Sequence, residues 1–166
     1  MLLLQDIAVT YHNVVPAVQG ISLEVPDKSV VALLGANGAG KTTTLRAISS
    51  LLNFHKASII RGSILFDGEH IDRLNATQIV QRGIAQVLEG RRLFADLTVD
   101  ENLRTGAISS RDLAAIRRAY DRVMELFPLL RDRRKSVFGI LSGKPFALLQ
   151  AGVSGNQLIH KREIEK

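Results

Sequence analysis

Apolar and polar side chains alternate along the first part of the chain, as β strands require. Residues 2–9 alternate, and the run Ile21-Ser22-Leu23-Glu24-Val25 is apolar at every second position. A third short strand is predicted at residues 62–68, where it closes in the turn Asp67-Gly68. A period of two is typical of strands with one buried face. The pattern therefore predicts that strands dominate the beginning of the chain.

Two further segments are apolar with little or no alternation. Residues 30–34 read VVALL and residues 84–88 read IAQVL. The first run is short and continuously apolar, which is typical of a strand buried on both faces. The second run is predicted to be another strand. Both follow segments that suit turns or helix ends, so the pattern indicates an α/β organisation after the early strands.

Helix signals stand between and after these strands. Residues 42–48 place Leu45 and Ile48 on one helical face. Asn75 can cap a helix that ends at Gly83, since glycine tolerates the left-handed conformation after a helix. Further along, T-V-D-E at residues 98–101 has the spacing of a capping box, with threonine at the N-cap and glutamate three residues later.

The longest predicted helix lies in the last third of the chain. It is expected to begin at Ser109 or Ser110 and to end at Pro128, because proline cannot continue a helix. Its apolar residues recur at intervals of three and four, which places them on one stripe. The residues of this stripe are Leu113, Ile116, Tyr120, Val123 and Phe127.

Composition narrows the class of protein only slightly. The 166 residues allow one domain or part of a larger one. The absence of cysteine excludes disulfides and thiolate metal sites. No stretch approaches the roughly 20 apolar residues that span a membrane, and the N-terminus lacks the basic region of a signal peptide. These features predict a soluble, intracellular protein.

The net charge of +6 raises the question of nucleic acid binding. No aromatic residues that could stack on bases are interleaved with the basic clusters. We therefore expect a solvated or partner-facing helical surface and no nucleic acid partner. The basic clusters are Arg91-Arg92, Arg117-Arg118, residues 131–135 and Lys161-Arg162.

The most specific functional signal is the segment GANGAGKT, which satisfies the phosphate-binding pattern G-x-x-x-x-G-K-[ST]. It lies between a predicted strand and a predicted helix, so backbone N–H groups and the helix N-terminus can converge on one anion. Lys41 would face the outer phosphates and Thr42 would ligate Mg²⁺. A chance glycine-rich turn is the alternative, which the flanking elements disfavour. The predicted nucleotide-binding residues are Gly35, Ala36, Asn37, Gly38, Ala39, Gly40, Lys41, Thr42 and Thr43.

Several stretches together resemble the ATP-binding subunits of ABC transporters. These stretches are GANGAGKTTTLRAI, ILFDGEHI, EGRRLFADLTVDENL and finally LSG at residues 141–143, in the family's order and spacing. The match is closest to the subunits of branched-chain amino acid importers and covers residues 2–143. It implies a P-loop NTPase fold with an N-terminal antiparallel β subdomain, an incomplete parallel core sheet and a helical subdomain at about residues 90–143.

The resemblance also implies roles for residues outside the phosphate loop. Tyr11 resembles the aromatic residue that stacks on adenine, whereas a lone tyrosine at a strand end is otherwise a packing residue. Glu89 stands where most of these proteins have a glutamine that reaches Mg²⁺ and contacts the membrane subunit; Gln86 is a weaker candidate. Arg91 and Arg92 would lie in the region that docks on the membrane subunits, or would simply be solvated.

The resemblance ends at Leu141, Ser142 and Gly143, a remnant of the family signature. Lys144 and Pro145 follow where a second glycine and polar helix residues are expected. No apolar strand ending in Asp-Glu follows, and His160 lies in a charged tail. We therefore expect residues 1–143 to be an incomplete nucleotide-binding domain and residues 144–166 to be a divergent or frameshifted tail. Without those carboxylates and a switch histidine, ATP hydrolysis by this chain is expected to be at background level.

The implied function is that of an ATP-binding subunit of an importer, which uses ATP and Mg²⁺. Its partners would be a second ATP-binding subunit and membrane-spanning permease subunits, which would hold it at the inner face of the cell membrane. The alternative is a truncated module or pseudo-subunit that binds ATP without hydrolysing it. A small-molecule kinase is a third reading, against which residues 89–103 and the LSG remnant argue.

Overall fold

The computed structural model describes residues 1–86, 94–108, 110 and 112–138. The chain divides into two compact units, Met1–Ile79 and Val80–Lys166. The first unit is built on a sheet and the second, where described, on helices. Each unit buries apolar side chains of its own.

The sheet of the first unit has four antiparallel strands. They are β1 (Leu2–Tyr11), β2 (Val15–Val25), β3 (Ala57–Phe66) and β4 (Glu69–His70), in the spatial order β2-β1-β3-β4. The three predicted early strands are confirmed, although β2 and β3 each begin earlier than their alternating segments. The predicted turn at Asp67-Gly68 joins β3 to β4.

The central strand β1 carries much of the core of this unit. Leu4, Ile7 and Val9 are fully buried, and Ile64 of β3 is buried with no exposed surface. The pairing register shifts between Leu4 and Ile7, where Asp6 has a positive φ of 50°. Residues on one face of a regular strand are an even number of positions apart. The bulge inserts one extra residue, so Leu4 and Ile7 are both buried although they are three positions apart.

The prediction of a buried strand at residues 30–34 is wrong for the structure. The segment belongs to no strand, and Val30 and Leu34 are 99% and 88% exposed. A continuous apolar run forms a buried strand only when neighbouring strands and helices cover it. Residues 84–86 are likewise not in a strand, and residues 87–88 lie outside the described residues. All strand pairs in the described part are antiparallel.

Two helices, α1 (Lys41–Ile48) and α2 (Ala76–Gln81), follow the predicted start signals, with a 3₁₀ turn at Asn53–His55 between them. Helix α1 buries Thr43, Thr44 and Ala47 rather than the predicted face, since Leu45 is exposed. Helix α2 is capped by Asn75, whose side chain and backbone exchange hydrogen bonds of 3.0 and 2.9 Å with Gln78. Gly83 follows with a φ of 87°, as expected after a helix end.

The second unit contains α3 (Val99–Thr105), α4 (Leu113–Leu126) and α5 (Pro128–Asp132). The capping box of Thr98 and Glu101 is confirmed. The predicted start of α4 at Ser109 or Ser110 is wrong, because the carboxylate of Asp112 caps the helix by accepting from the N–H groups of Ala114 and Ala115 at 2.9 and 3.0 Å. Pro128 ends α4 as predicted and begins α5.

The apolar core of the second unit is only partly the predicted stripe. Val123 is buried, and Tyr120 and Phe127 pack against the core, but Leu113 is 80% exposed. The buried face of α4 is shifted toward Ala115, Ala119 and Met124. The cluster consists of Val99, Leu103, Val123, Met124, Leu130 and Phe138.

Candidate functional site: the phosphate loop

The phosphate loop, residues 35–43, leads directly into α1. Gly40 is the N-cap of this helix and has a φ of +83°. A Cβ atom at this position would lie 2.6 Å from the carbonyl oxygen of Ala17 and 2.9 Å from a methyl group of Val18. Both neighbours belong to β2, so the loop is seated against the sheet at a point where only glycine fits.

The N-terminus of α1 is open to an anion. No side chain caps it, and its first turn contains no acidic residue. The hydroxyl and the N–H of Thr44 both return to the carbonyl oxygen of Gly40, at 3.0 and 2.8 Å. The N–H groups of the first turn have no partner within a helix, and together with the helix dipole they attract negative charge.

Lys41 lies over the loop that precedes it. Its ammonium group donates hydrogen bonds of 2.7 Å to the carbonyl oxygens of Gly35 and Ala36. Neutral carbonyls are weaker acceptors for an ammonium group than phosphate oxygens are. The ammonium group is therefore held beside the loop and can exchange these carbonyls for a phosphate.

The remaining loop residues differ in exposure. Asn37, Gly38, Ala39 and Thr42 are exposed, and Thr43 is only 7% exposed. The exposed hydroxyl of Thr42 could serve as an oxygen ligand for Mg²⁺, a cation that binds oxygen ligands. Within the described residues, no group of three or more His, Cys, Asp or Glu side chains could hold a metal ion.

Tyr11 is the last residue of β1, and its hydroxyl contacts α1. It lies 3.2 Å from the hydroxyl of Thr43 and accepts a hydrogen bond of 3.1 Å from Arg46. The structure thus brings Tyr11, the predicted contact for the base, close to Thr43, a predicted contact for the phosphates. Arg46 is not among the site residues predicted from the sequence. Its position three residues after Thr43 on a helix was the available signal, because such residues share a face.

Other predicted site residues fall outside this arrangement. Glu89, Arg91, Arg92 and the remnant Leu141, Ser142 and Gly143 lie outside the described residues. Gln86, the rival to Glu89, is described and half-buried, and it is not in a strand.

The motif T-V-D-E-N-L of the second unit contains a buried clamp. Asn102 has no exposed surface, and its side-chain oxygen accepts from the N–H of Phe94 at 2.9 Å. Its amide nitrogen donates to the carbonyl oxygens of Phe94, Leu97 and Thr98 at 3.0 to 3.2 Å. This residue therefore fixes the loop at residues 94–98 to α3.

A charged network links α3 to α4. Tyr120 and Arg104 both donate a hydrogen bond to the carboxylate of Asp100, and the Arg104 bond is 2.8 Å long. The guanidinium group of Arg104 also lies 5.6 Å from the centre of the Tyr120 ring. Burial together with the hydrogen bond to Asp100 raises the pKa of Tyr120 to about 12. Burial by itself would raise the pKa of Asp100, but the hydrogen bonds from Tyr120 and Arg104 leave it lowered.

A glycine-rich loop on an uncapped helix N-terminus, with a lysine over it, is the arrangement of a phosphate-binding loop. The sequence profile described as ABC transporter matches residues 18–143, and the chain belongs to this family. The expected ABC-type P-loop fold with its N-terminal antiparallel sheet is therefore confirmed, whereas the expected parallel core sheet is not found among the described residues.

Individual relatives are ATP-binding proteins that are named for the transport of different substrates. The high-affinity branched-chain amino acid transport ATP-binding protein BraG of Pseudomonas aeruginosa is 37% identical over 143 residues, which are 86% of this chain and 59% of BraG. The probable branched-chain amino acid transport ATP-binding protein LivF of Archaeoglobus fulgidus is 32% identical, over 74% of this chain and 50% of LivF. The phosphate import ATP-binding protein PstB of Corynebacterium glutamicum is 30% identical, over 80% of this chain and 54% of PstB.

Solved structures agree on the fold. An ATP-binding cassette of an ABC transporter in its ADP conformation has a TM-score of 0.78 and 23% identity, covering 95% of this chain and 65% of that one. The chain thus spans between half and two thirds of the length of these relatives. No helix among the described residues is long and apolar enough to cross a membrane.

Proposed function

We propose that this chain is the ATP-binding part of an ABC importer subunit, with branched-chain amino acids as the transported substrate. The observation that carries the ATP-binding proposal is the loop itself, in which the left-handed Gly40 and Lys41 stand at the uncapped start of α1. The substrate proposal rests on the names of BraG and LivF, which are 37% and 32% identical to this chain.

Each phosphate-loop residue has a distinct part in this proposal. The N–H groups of residues 38–43 would surround the triphosphate, with Lys41 neutralising the outer phosphates. Thr42 would hold Mg²⁺ together with Glu89, and Mg²⁺ would supply further charge neutralisation. Tyr11 would stack on the adenine ring. Residues 141–143 would contact the γ-phosphate bound by a second subunit.

The proposed partners and location are those expected for an importer subunit of this family. A second ATP-binding subunit would close over the nucleotide, and permease subunits would hold the protein at the inner face of the membrane. Residues 1–143 would form the cassette part of the chain, with the helical subdomain at about residues 90–143. The net charge would serve protein contacts and not nucleic acid.

The test is calorimetric titration of the full chain with Mg-ATP, in the original form and as Lys41→Ala. Loss of the main cation is expected to weaken binding by about 1.5–3 kcal/mol, the range for hydrogen bonds to charged groups. Lys56→Ala is the matched control, because Lys56 is an exposed lysine outside the loop. Equal affinities of the original chain and Lys41→Ala would contradict the proposed site.

A further inference from the structure

We propose that Arg46 is a positioning residue for the nucleotide base, acting through the hydroxyl of Tyr11. This inference rests on the proposed function, because it assigns a part in ATP binding to a residue outside the phosphate loop. Arg46 would not touch the nucleotide. It would hold the Tyr11 ring in the orientation that accepts the base.

The backbone of Tyr11 is already fixed by the sheet. Tyr11 pairs with Val15 of β2 and Ala57 of β3, and its carbonyl oxygen accepts from the N–H of Val14 at 3.0 Å. The intervening His12 and Asn13 have positive φ values of 52° and 59° in the three-residue loop that joins β1 to β2. Only the two side-chain torsions of Tyr11 remain to be set.

The position of the hydroxyl fixes the first torsion, and the directions of its two hydrogen bonds favour one value of the second. A guanidinium group has donors and no acceptor, so the Tyr11 oxygen accepts from Arg46. The proton of the Tyr11 hydroxyl is then free to be donated to Thr43, 3.2 Å away. The resulting chain of donors runs from Arg46 through the Tyr11 hydroxyl to Thr43.

Thr43 and Arg46, the two residues that contact the Tyr11 hydroxyl, both lie on α1, so one rigid element holds the end of the Tyr11 side chain. Thr43 is buried and Arg46 is half-buried. A ring held at its hydroxyl by α1 and at its Cα by β1 has a fixed long axis, and the directions of the two hydroxyl hydrogen bonds favour one ring plane. A preorganised aromatic face binds a flat base without the entropic cost of ordering a free side chain.

The experiment measures the affinities of the full chain for ATP and for inorganic tripolyphosphate, which has the phosphates but no base. Arg46→Met is expected to weaken ATP binding about fivefold to tenfold and to change tripolyphosphate binding less than twofold. Arg46→Lys, which keeps a cationic donor, is expected to restore most of the ATP affinity. Arg73→Met is the matched control for loss of charge, because Arg73 is exposed and distant in sequence from the loop.

A double-mutant cycle separates positioning from a general structural effect. In a Tyr11→Phe background the hydroxyl is absent, so Arg46→Met is expected to have no further effect on ATP affinity. Additive losses, or an equal loss of ATP and tripolyphosphate binding, would overturn the inference while leaving the proposed function standing. If the original chain bound neither ligand, the proposed function itself would fail. Circular dichroism spectra matching the original chain show that the variants are folded.

Discussion

Substituting Gly40 by alanine tests whether the loop is seated against the sheet as the structure shows. Two effects combine at this position. Gly40 has a φ of +83°, which is a left-handed conformation. A residue with a side chain is destabilised by about 1–2 kcal/mol in this conformation. The added Cβ would also meet a backbone oxygen at 2.6 Å, and forced overpacking costs about 1–3 kcal/mol. The expected loss of unfolding free energy is therefore about 2–5 kcal/mol.

Gly38 provides a closely matched control. Its φ of +85° is nearly the same, but a Cβ there would meet no atom within 4 Å. Gly38→Ala is therefore expected to lose only the conformational part, about 1–2 kcal/mol. The difference between the two variants isolates the contact between the loop and β2.

The assay is urea unfolding followed by circular dichroism, together with titration of Mg-ATP into each variant. If the loop moves away from β2 instead of straining the fold, Gly40→Ala will lose ATP affinity while its stability resembles that of Gly38→Ala. Equal stability and equal ATP affinity of the two variants would refute the reasoning, because no contact would then distinguish the two glycines.

Two further predictions concern the second unit. Asn102→Ala removes four hydrogen bonds of a fully buried side chain. It is expected to lower the free energy of unfolding in urea by about 2–4 kcal/mol, because buried partners are left unsatisfied. A change below about 0.5 kcal/mol would show that the fold does not need these hydrogen bonds. The raised pKa of Tyr120, about 12, favours its protonated form in the folded state. Its contribution to stability is therefore fully present below pH about 10 and is lost as the pH rises toward 12. Urea unfolding between pH 9 and 12 is expected to show a weaker pH dependence for Tyr120→Phe, and identical slopes would contradict the assignment.

Much of the local structure was available from the sequence. The capping box of Thr98 and Glu101, the cap at Asn75 and the turn at Asp67 were predicted because each depends on residues only a few positions apart. The phosphate loop was found in the same way, since its glycines, lysine and threonine are contiguous. The predicted start of α4 is wrong because two local capping signals compete there. Asp112, whose carboxylate accepts two backbone N–H groups, begins α4 in place of the serines before it.

Long-range partners decided the remaining features. The apolar sequence of residues 30–34 predicts a buried strand, but Val30 and Leu34 are exposed. Burial depends on elements elsewhere in the chain, which this short segment does not encode. The spacing of Arg46 from Thr43 indicates only a shared helix face, and the contact of Arg46 with Tyr11 arises only when β1 brings Tyr11 to α1. Short-range hydrogen bonding is encoded in neighbouring residues and can be predicted from them. Packing and the contacts between β1 and α1 join residues more than thirty positions apart, and only the tertiary structure brings them together.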